Sequence, residues 1–139
     1  GTLLGGTAIL DCYSTGAVSA TADKSGGIAG LTMAPFGDMA TIVNCYSAGA
    51  ITNGTVMGGI VGDSEAGLDP PSFVTCVWNG DSNAALPTGQ VGGDTSYGGV
   101  KATIANMKKK ATYVAFDFTP PTHEWTIDED NDYPRLAWE

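Results

Sequence analysis

Apolar residues in the first half of the chain come in short runs, each closed by Gly, Ser, Thr or Asn. Such runs are too short for helices and too evenly spaced for loops, so the pattern predicts short β-strands. The runs also repeat. Ile9 to Ser19 reads ILDCYSTGAVS and Ile42 to Thr52 reads IVNCYSAGAIT, an offset of 33 with six of eleven positions identical. A second element follows each copy, GGIAG from Gly26 and GGIVG from Gly58, at an offset of 32. A third, decayed copy, FVTCVW from Phe73 to Trp78, sets Cys76 at an offset of 31 from Cys45, and LLGG at Leu3 to Gly6 resembles the end of a preceding unit.

Near-identical strings recurring every 31 to 33 residues predict a stack in which equivalent residues lie above one another. Three short strands per unit, with a turn after each, wind once around a β-solenoid, so equivalent residues form parallel ladders about 4.8 Å apart. An antiparallel sandwich is the weaker alternative, because it rewards hairpin turns and not repeated strings. The expected fold is all-β: a parallel β-helix of two to three coils with a C-terminal cap containing one short helix. Ile9, Ile42 and Phe73 are expected to form one core ladder. Cys12, Cys45 and Cys76 form a second, in which a free thiol behaves as a small buried hydrophobe. Asp11 and Asn44 suit a corner, where a short polar side chain bonds local backbone. The alternation leaves open whether Tyr13 and Tyr46 point inward or outward. The strand edges of the first coil near Leu3 are expected to self-associate where no further repeat covers them.

The pattern then changes. Residues 1–79 are read as the repeats, 80–102 as a Gly-rich surface excursion and 103–139 as the cap, within one structural domain. In the cap, Thr103 caps a short helix that shows Ile104, Met107 and Ala111 on one face, with Lys108, Lys109 and Lys110 as its solvated last turn. Tyr113 to Phe118 and Trp125 to Ile127 are expected as strands. Tyr133, Pro134, Leu136 and Trp138 supply a last cluster, with Trp125 and Trp138 closing the core.

Composition agrees with strands: 20 of 139 residues are glycine, and the residues that favour helices are scarce. Fifteen acidic against six basic residues give a net charge of −9, which repels a phosphate backbone and argues against nucleic acid as a partner. No apolar run is long enough to cross a bilayer, so membrane insertion by these residues is not expected. Nor does a basic-then-apolar leader begin at Gly1, so any export signal is expected outside the chain. Three cysteines without a C-x-x-C spacing suit neither a disulfide framework nor a zinc site.

Catalytic chemistry finds little support. His123 has no H-E-x-x-H context, no Ser sits in a G-x-S-x-G turn, and a Cys–His thiol hydrolase would take its nucleophile from the core ladder. Paired carboxylates for glycoside cleavage would need a longer groove than about two repeats provide. The chain is therefore read as no enzyme. The acidic string Asp128, Glu129, Asp130, Asn131, Asp132 spaces carboxylates alternately, with Glu139 at the twelfth place, as calcium loops do. It lacks the sixth-position Gly, so a solvated acidic turn is the first reading. Calcium at Asp128, Asp130 and Asp132 is the second, and no other cofactor is implied. Trp78, Tyr97 and Trp125 are the candidates for stacking on sugar rings.

Together these residues resemble the GLUG-motif repeat proteins: NCYSAGAIT with GGIVG, DCYSTGAVS with GGIAG, then Cys76-Val77-Trp78, Met107-Lys108, Asp117-Phe118, Trp125-Thr126-Ile127 and Tyr133-Pro134-Arg135-Leu136. The likeness covers most of the chain. It departs at Val77, where the pattern has Tyr, and at Ile28 and Ile60, where the motif's name implies Leu. The resemblance implies a right-handed parallel β-helix at the C-terminal end of a large secreted or cell-surface bacterial protein, often adhesin-like and sometimes beside a peptidase domain. It carries no catalytic residues. The expected function is thus a non-catalytic module for cell adhesion or a structural stalk, with a host protein, a glycan or neighbouring domains as partner. The alternative is a carbohydrate-binding or accessory module of an exported enzyme such as a peptidase.

Overall fold

One backbone conformation recurs once per repeat. Asp11, Asn44 and Thr75 have φ of 48°, 50° and 55°, the left-handed region that L-residues rarely enter and that Asp and Asn tolerate best. Each reverses the inward–outward alternation between two short strands and so makes a corner. Their side chains form a ladder: Thr75 Oγ1 donates to Asn44 Oδ1, and Asn44 Nδ2 donates to Asp11 Oδ1 at 3.2 Å.

The computed structural model describes residues 1–21, 24–35, 37–64, 72–83, 99–121 and 123–139. A short strand β1 (Thr2–Leu4) precedes the first full unit, which holds β2 (Ala8–Leu10), β3 (Tyr13–Ser14), β4 (Val18–Ser19), β5 (Lys24–Gly26) and β6 (Ala29–Met33). The second unit repeats them as β7 (Thr41–Val43), β8 (Tyr46–Ser47), β9 (Ile51–Thr52), β10 (Val56–Gly58) and β11 (Val61–Ser64). There follow β12 (Ser72–Val74), β13 (Val77–Asn79) and β14 (Val100–Ala102), and in the tail a helix α1 (Ile104–Met107) and strands β15 (Trp125–Thr126) and β16 (Arg135–Leu136). Each full unit gives one strand to each of five parallel sheets, ordered β1-β6-β11, β5-β10, β2-β7-β12, β3-β8-β13-β14 and β4-β9. Five strands per unit replace the expected three, because the polar corners and the glycine turns subdivide runs that read as continuous.

The register follows the sequence repeat. Ile9 pairs with Ile42 and Ile42 with Phe73, while Tyr13 pairs with Tyr46 and Tyr46 with Val77. The cysteines keep the same register, since Tyr46 N–H donates to the Cys12 carbonyl and Val77 N–H to the Cys45 carbonyl, at 3.1 and 3.0 Å. One expectation fails here. Cys45 and Cys76 are buried but Cys12 is exposed, because its strands form the outermost rung and no described rung covers it. The exposure of Leu4 and Leu10, 58% and 54%, marks the same open end.

Alternation along the strands creates two apolar clusters. Between the sheets lie Ala29, Ile42, Cys45, Ile51, Ile60, Val61, Cys76 and Trp78. On the opposite face of β8 and β13, Tyr46, Ala48 and Val77 pack with Ala102, Met107, Tyr113, Phe116, Phe118 and Trp125 of the chain that follows. The sheets meet closely at the second glycine of each glycine pair. A Cβ on Gly27 would stand 2.0 Å from Ser47 Oγ, and one on Gly59 2.3 Å from the Trp78 ring.

The tail therefore lies along the flank of the stack instead of closing its end. Residues 100–102 also differ from the expected excursion, since β14 pairs with β13 as a further rung. Lys101 opposes Trp78 in that pairing, with its ammonium 5.3 Å from the indole centroid, so its stem shields the last inner aromatic ring. Thr103 caps α1 as expected, accepting from Asn106 N–H at 3.1 Å, but only Met107 of the expected apolar face is buried. Tyr113 to Phe118 is an irregular segment that delivers its aromatic rings to the outer cluster, and β15 pairs antiparallel with β16.

Candidate functional site

Two of the three expected sugar-stacking residues do not meet solvent. Trp78 and Trp125 are both 0% exposed, Trp78 between the sheets and Trp125 under the tail. Tyr97 lies outside the described residues. Burial of this kind is worth about 4–6 kcal/mol of transfer free energy per ring, which gives each tryptophan a structural task. Trp125 Nε1 also donates to Asp11 Oδ1 at 3.3 Å, joining the tail to the corner ladder. Trp138 departs from expectation in the other direction: it is 72% exposed.

Two of the three thiols, Cys45 and Cys76, are equally enclosed. Cys45 Sγ donates to the Val43 carbonyl at 3.1 Å and Cys76 Sγ to the Ile42 carbonyl at 3.3 Å. The hydrogen bond to Cys76, followed by burial, pushes the Cys45 thiol far above its ordinary value, so Cys45 is a poor source of thiolate. His123 is placed elsewhere, in a tail cleft with Lys110, Phe118, Pro120, Trp125 and Glu129. The structure thus does not bring a cysteine and the histidine together.

The acidic string is a turn whose groups point to separate partners. Asp128 Oδ1 accepts from Asn131 Nδ2 at 3.0 Å, Glu129 Oε1 accepts from Lys110 N–H at 2.9 Å, and Asp130 lies 3.8 Å from Lys109 Nζ. Asp132 accepts from Tyr133 N–H at 2.8 Å and from the Arg135 guanidinium, and these two bonds hold its carboxyl below its usual range. Asp128, Asp130 and Asp132 therefore do not converge, and among the described residues no group of three acidic, His or Cys side chains could hold a metal. Lys108 Nζ donates to the Asn131 carbonyl at 2.8 Å. The lysines follow α1 instead of forming its last turn; Lys109 and Lys110 are exposed, as expected, and all three residues also contact this turn, Lys110 through its backbone N–H.

What the structure does assemble is a polar, aromatic cleft of about 450 Å³ lined by Tyr13, Thr15, Tyr46, Asp132, Tyr133, Pro134 and Arg135. The repeat supplies one wall and the tail the other. Tyr13 lies flat on Tyr46, with centroids 5.2 Å apart and planes 9° apart. Tyr46 is fully buried and its hydroxyl donates to the Pro134 carbonyl, so the pair is fixed from below. The Tyr13 hydroxyl donates to Glu139 Oε2 at 2.7 Å, a bond that holds its proton on and pushes its pKa above the ordinary value. Across the cleft, Arg135 binds Asp132. A second cleft of about 270 Å³, lined by Thr126, Ile127 and Asp128, shares Asp132, Tyr133 and Arg135 with the first.

Tyr13, Thr15, Tyr133 and Arg135 were missed as site residues because they come from both ends of the chain. One signal was present: Arg135 is the only arginine in the sequence. In comparisons with protein-family models, curated proteins and solved structures, nothing matches this chain.

Proposed function

We propose that the chain is a non-catalytic β-solenoid module of the GLUG-motif type, a right-handed parallel β-helix serving cell adhesion or a structural stalk in a secreted or surface-exposed bacterial protein. The observation that carries this reading is the in-register ladder Asp11–Asn44–Thr75 beside Ile9–Ile42–Phe73. Similar chemistry repeated along one axis makes each rung a template for the next, which is the physical requirement of an extended surface rod. In this reading the module needs no cofactor, and a carboxylate turn held by lysines and an arginine does not depend on calcium.

A second reading, a carbohydrate-binding or accessory module of an exported enzyme such as a peptidase, is favoured by the exposed Trp138 and by the tyrosine-walled cleft. The test is adhesion of beads coated with the chain to animal cells and to immobilised host matrix proteins. The adhesive reading expects saturable attachment that leaves the bound partner chemically unchanged. Attachment no better than bare beads, or cleavage of the partner, would contradict it.

A further inference from the structure

The cleft between the repeat and the tail has the features of a binding site for sugars. We propose that Tyr13, Thr15, Asp132, Tyr133 and Arg135 form a site for uncharged pyranose saccharides, two rings long. This deepens the adhesive reading by naming the class of its ligand.

Shape comes first. The cleft, at about 450 Å³, falls within the range of small-ligand sites, and the 270 Å³ cleft beyond the shared Asp132, Tyr133 and Arg135 continues it as a second subsite. The walls suit a pyranose. A sugar's C–H face packs on an aromatic ring, and Tyr13 is held rigidly for that purpose by the ring beneath it and by Glu139 on its hydroxyl. Little order is then lost on binding, which favours a rigid tyrosine over a mobile side chain.

The polar groups suit vicinal hydroxyls. Arg135 spends part of a five-donor guanidinium on Asp132 and keeps donors to offer, while each Asp132 oxygen has a further lone pair beyond its bonds to Tyr133 N–H and Arg135. Thr15 adds a hydroxyl that both donates and accepts. Charge then selects among sugars. Asp132 and Glu139 outnumber Arg135 at the cleft, and the chain carries −9, so a sialic acid or sulfated glycan is repelled.

The test is saturation-transfer NMR and calorimetry of the whole chain. The probes are methyl glucoside, methyl galactoside, methyl mannoside and N-acetylglucosamine, the corresponding disaccharides, N-acetylneuraminic acid, and N-acetyl-lysine amide as a cationic peptide mimic. At least one uncharged sugar should bind with a dissociation constant on the order of 1 mM, its disaccharide more tightly. Arg135→Gln and Thr15→Val, both at exposed positions, should weaken that binding about tenfold or more, while Val114→Ala on the exposed tail surface should not. Three results would overturn the site: no uncharged sugar saturating by about 20 mM, binding unchanged in both cleft variants, or binding of the lysine amide alone. Bead adhesion that survives an Arg135→Gln change which abolishes sugar binding overturns the cleft as the adhesive ligand site while leaving the adhesive reading standing. Sugar binding by a chain whose beads attach to no cell or matrix protein supports the cleft and overturns the adhesive reading.

Discussion

The two apolar clusters of this protein are built on opposite principles. Between the parallel sheets, Ile42, Cys45, Ile51, Ile60 and Val61 are of small or medium size, since each must accept its own counterpart in the next rung. Outside β8 and β13, Tyr46 meets Tyr113, Trp125 and Tyr133, with ring centroids 5.7 to 6.3 Å apart and interplanar angles from 30° to 67°. Repetition restricts the first cluster to residues that stack, with Trp78 of the decayed third copy as its one large ring, whereas a single non-repeating tail can fill an irregular gap with large rings in edge and tilted contacts. Tyr13 and Tyr46 belong to both worlds: they repeat, they stack at 5.2 Å, and they face the tail.

The sharpest way to separate the two clusters is to empty each in turn. Trp125→Ala and Trp78→Ala should each cost about 3–5 kcal/mol in chemical denaturation, a large share of the stability of a domain this size. They should differ in limited proteolysis. Trp125→Ala should expose residues 103–139 to cleavage while the repeats stay protected, and Trp78→Ala should sensitise the repeats. Identical digestion patterns would erase the distinction.

Alkali should attack the outer cluster selectively. Burial pushes the hydroxyls of Tyr46 and Tyr113 well above their ordinary 10.0. A raised folded value means that their contribution is fully present below pH 10 and declines as pH rises above it, by about 3 kcal/mol per pH unit for the two together. Tyrosinate absorbance should therefore show two tyrosines that ionise only as the fold is lost, and free ionisation near pH 10 without unfolding would contradict their burial.

One glycine position tests the stacking within the repeats. A Cβ on Gly49 would meet the Gly16 carbonyl oxygen at 2.0 Å, while one on Gly16, at the same repeat position, meets nothing within 4 Å. Gly49→Ala should cost about 1–3 kcal/mol and Gly16→Ala less than about 0.5, measured as shifts of the thermal midpoint. Equal effects would mean that the two rungs are not stacked. The smallest expected effect is at the lysine-held turn: Lys109→Ala should lose at most about 1 kcal/mol, as exposed pairs do.

The repeat was legible and the tail was not, for physical reasons. Equivalent positions in a stack share one environment, so matching strings at Ile9 and Ile42 carried their pairing on their face, and the polar pair Asp11 and Asn44 marked the corner. Thr75 was hidden because decay of the third copy replaced the amide with a hydroxyl that still reaches Asn44. The facing of Tyr13 and Tyr46 was ambiguous because a left-handed residue two positions before each inverts the alternation on which such readings depend. In the tail, contacts such as Lys110 to Glu129 and Tyr46 to Pro134 join residues with no pattern in common. The lysine run and acidic string are both solvated, as read, but their contact with each other had no sequence signal. The cleft was illegible for the same reason, since Thr15 and Arg135 meet only once the tail folds back along the repeats.

The central claim is that an in-register parallel stack is braced along its flank by the tail. Nuclear Overhauser contacts in the assigned protein test it most directly. The account predicts contacts of Ile42 with both Ile9 and Phe73, and of the Trp125 indole with both Tyr13 and Tyr46. Antiparallel Hα–Hα contacts between residues 8–10 and 41–43, or a Trp125 indole in contact with Ile42 and Ile60, would contradict it.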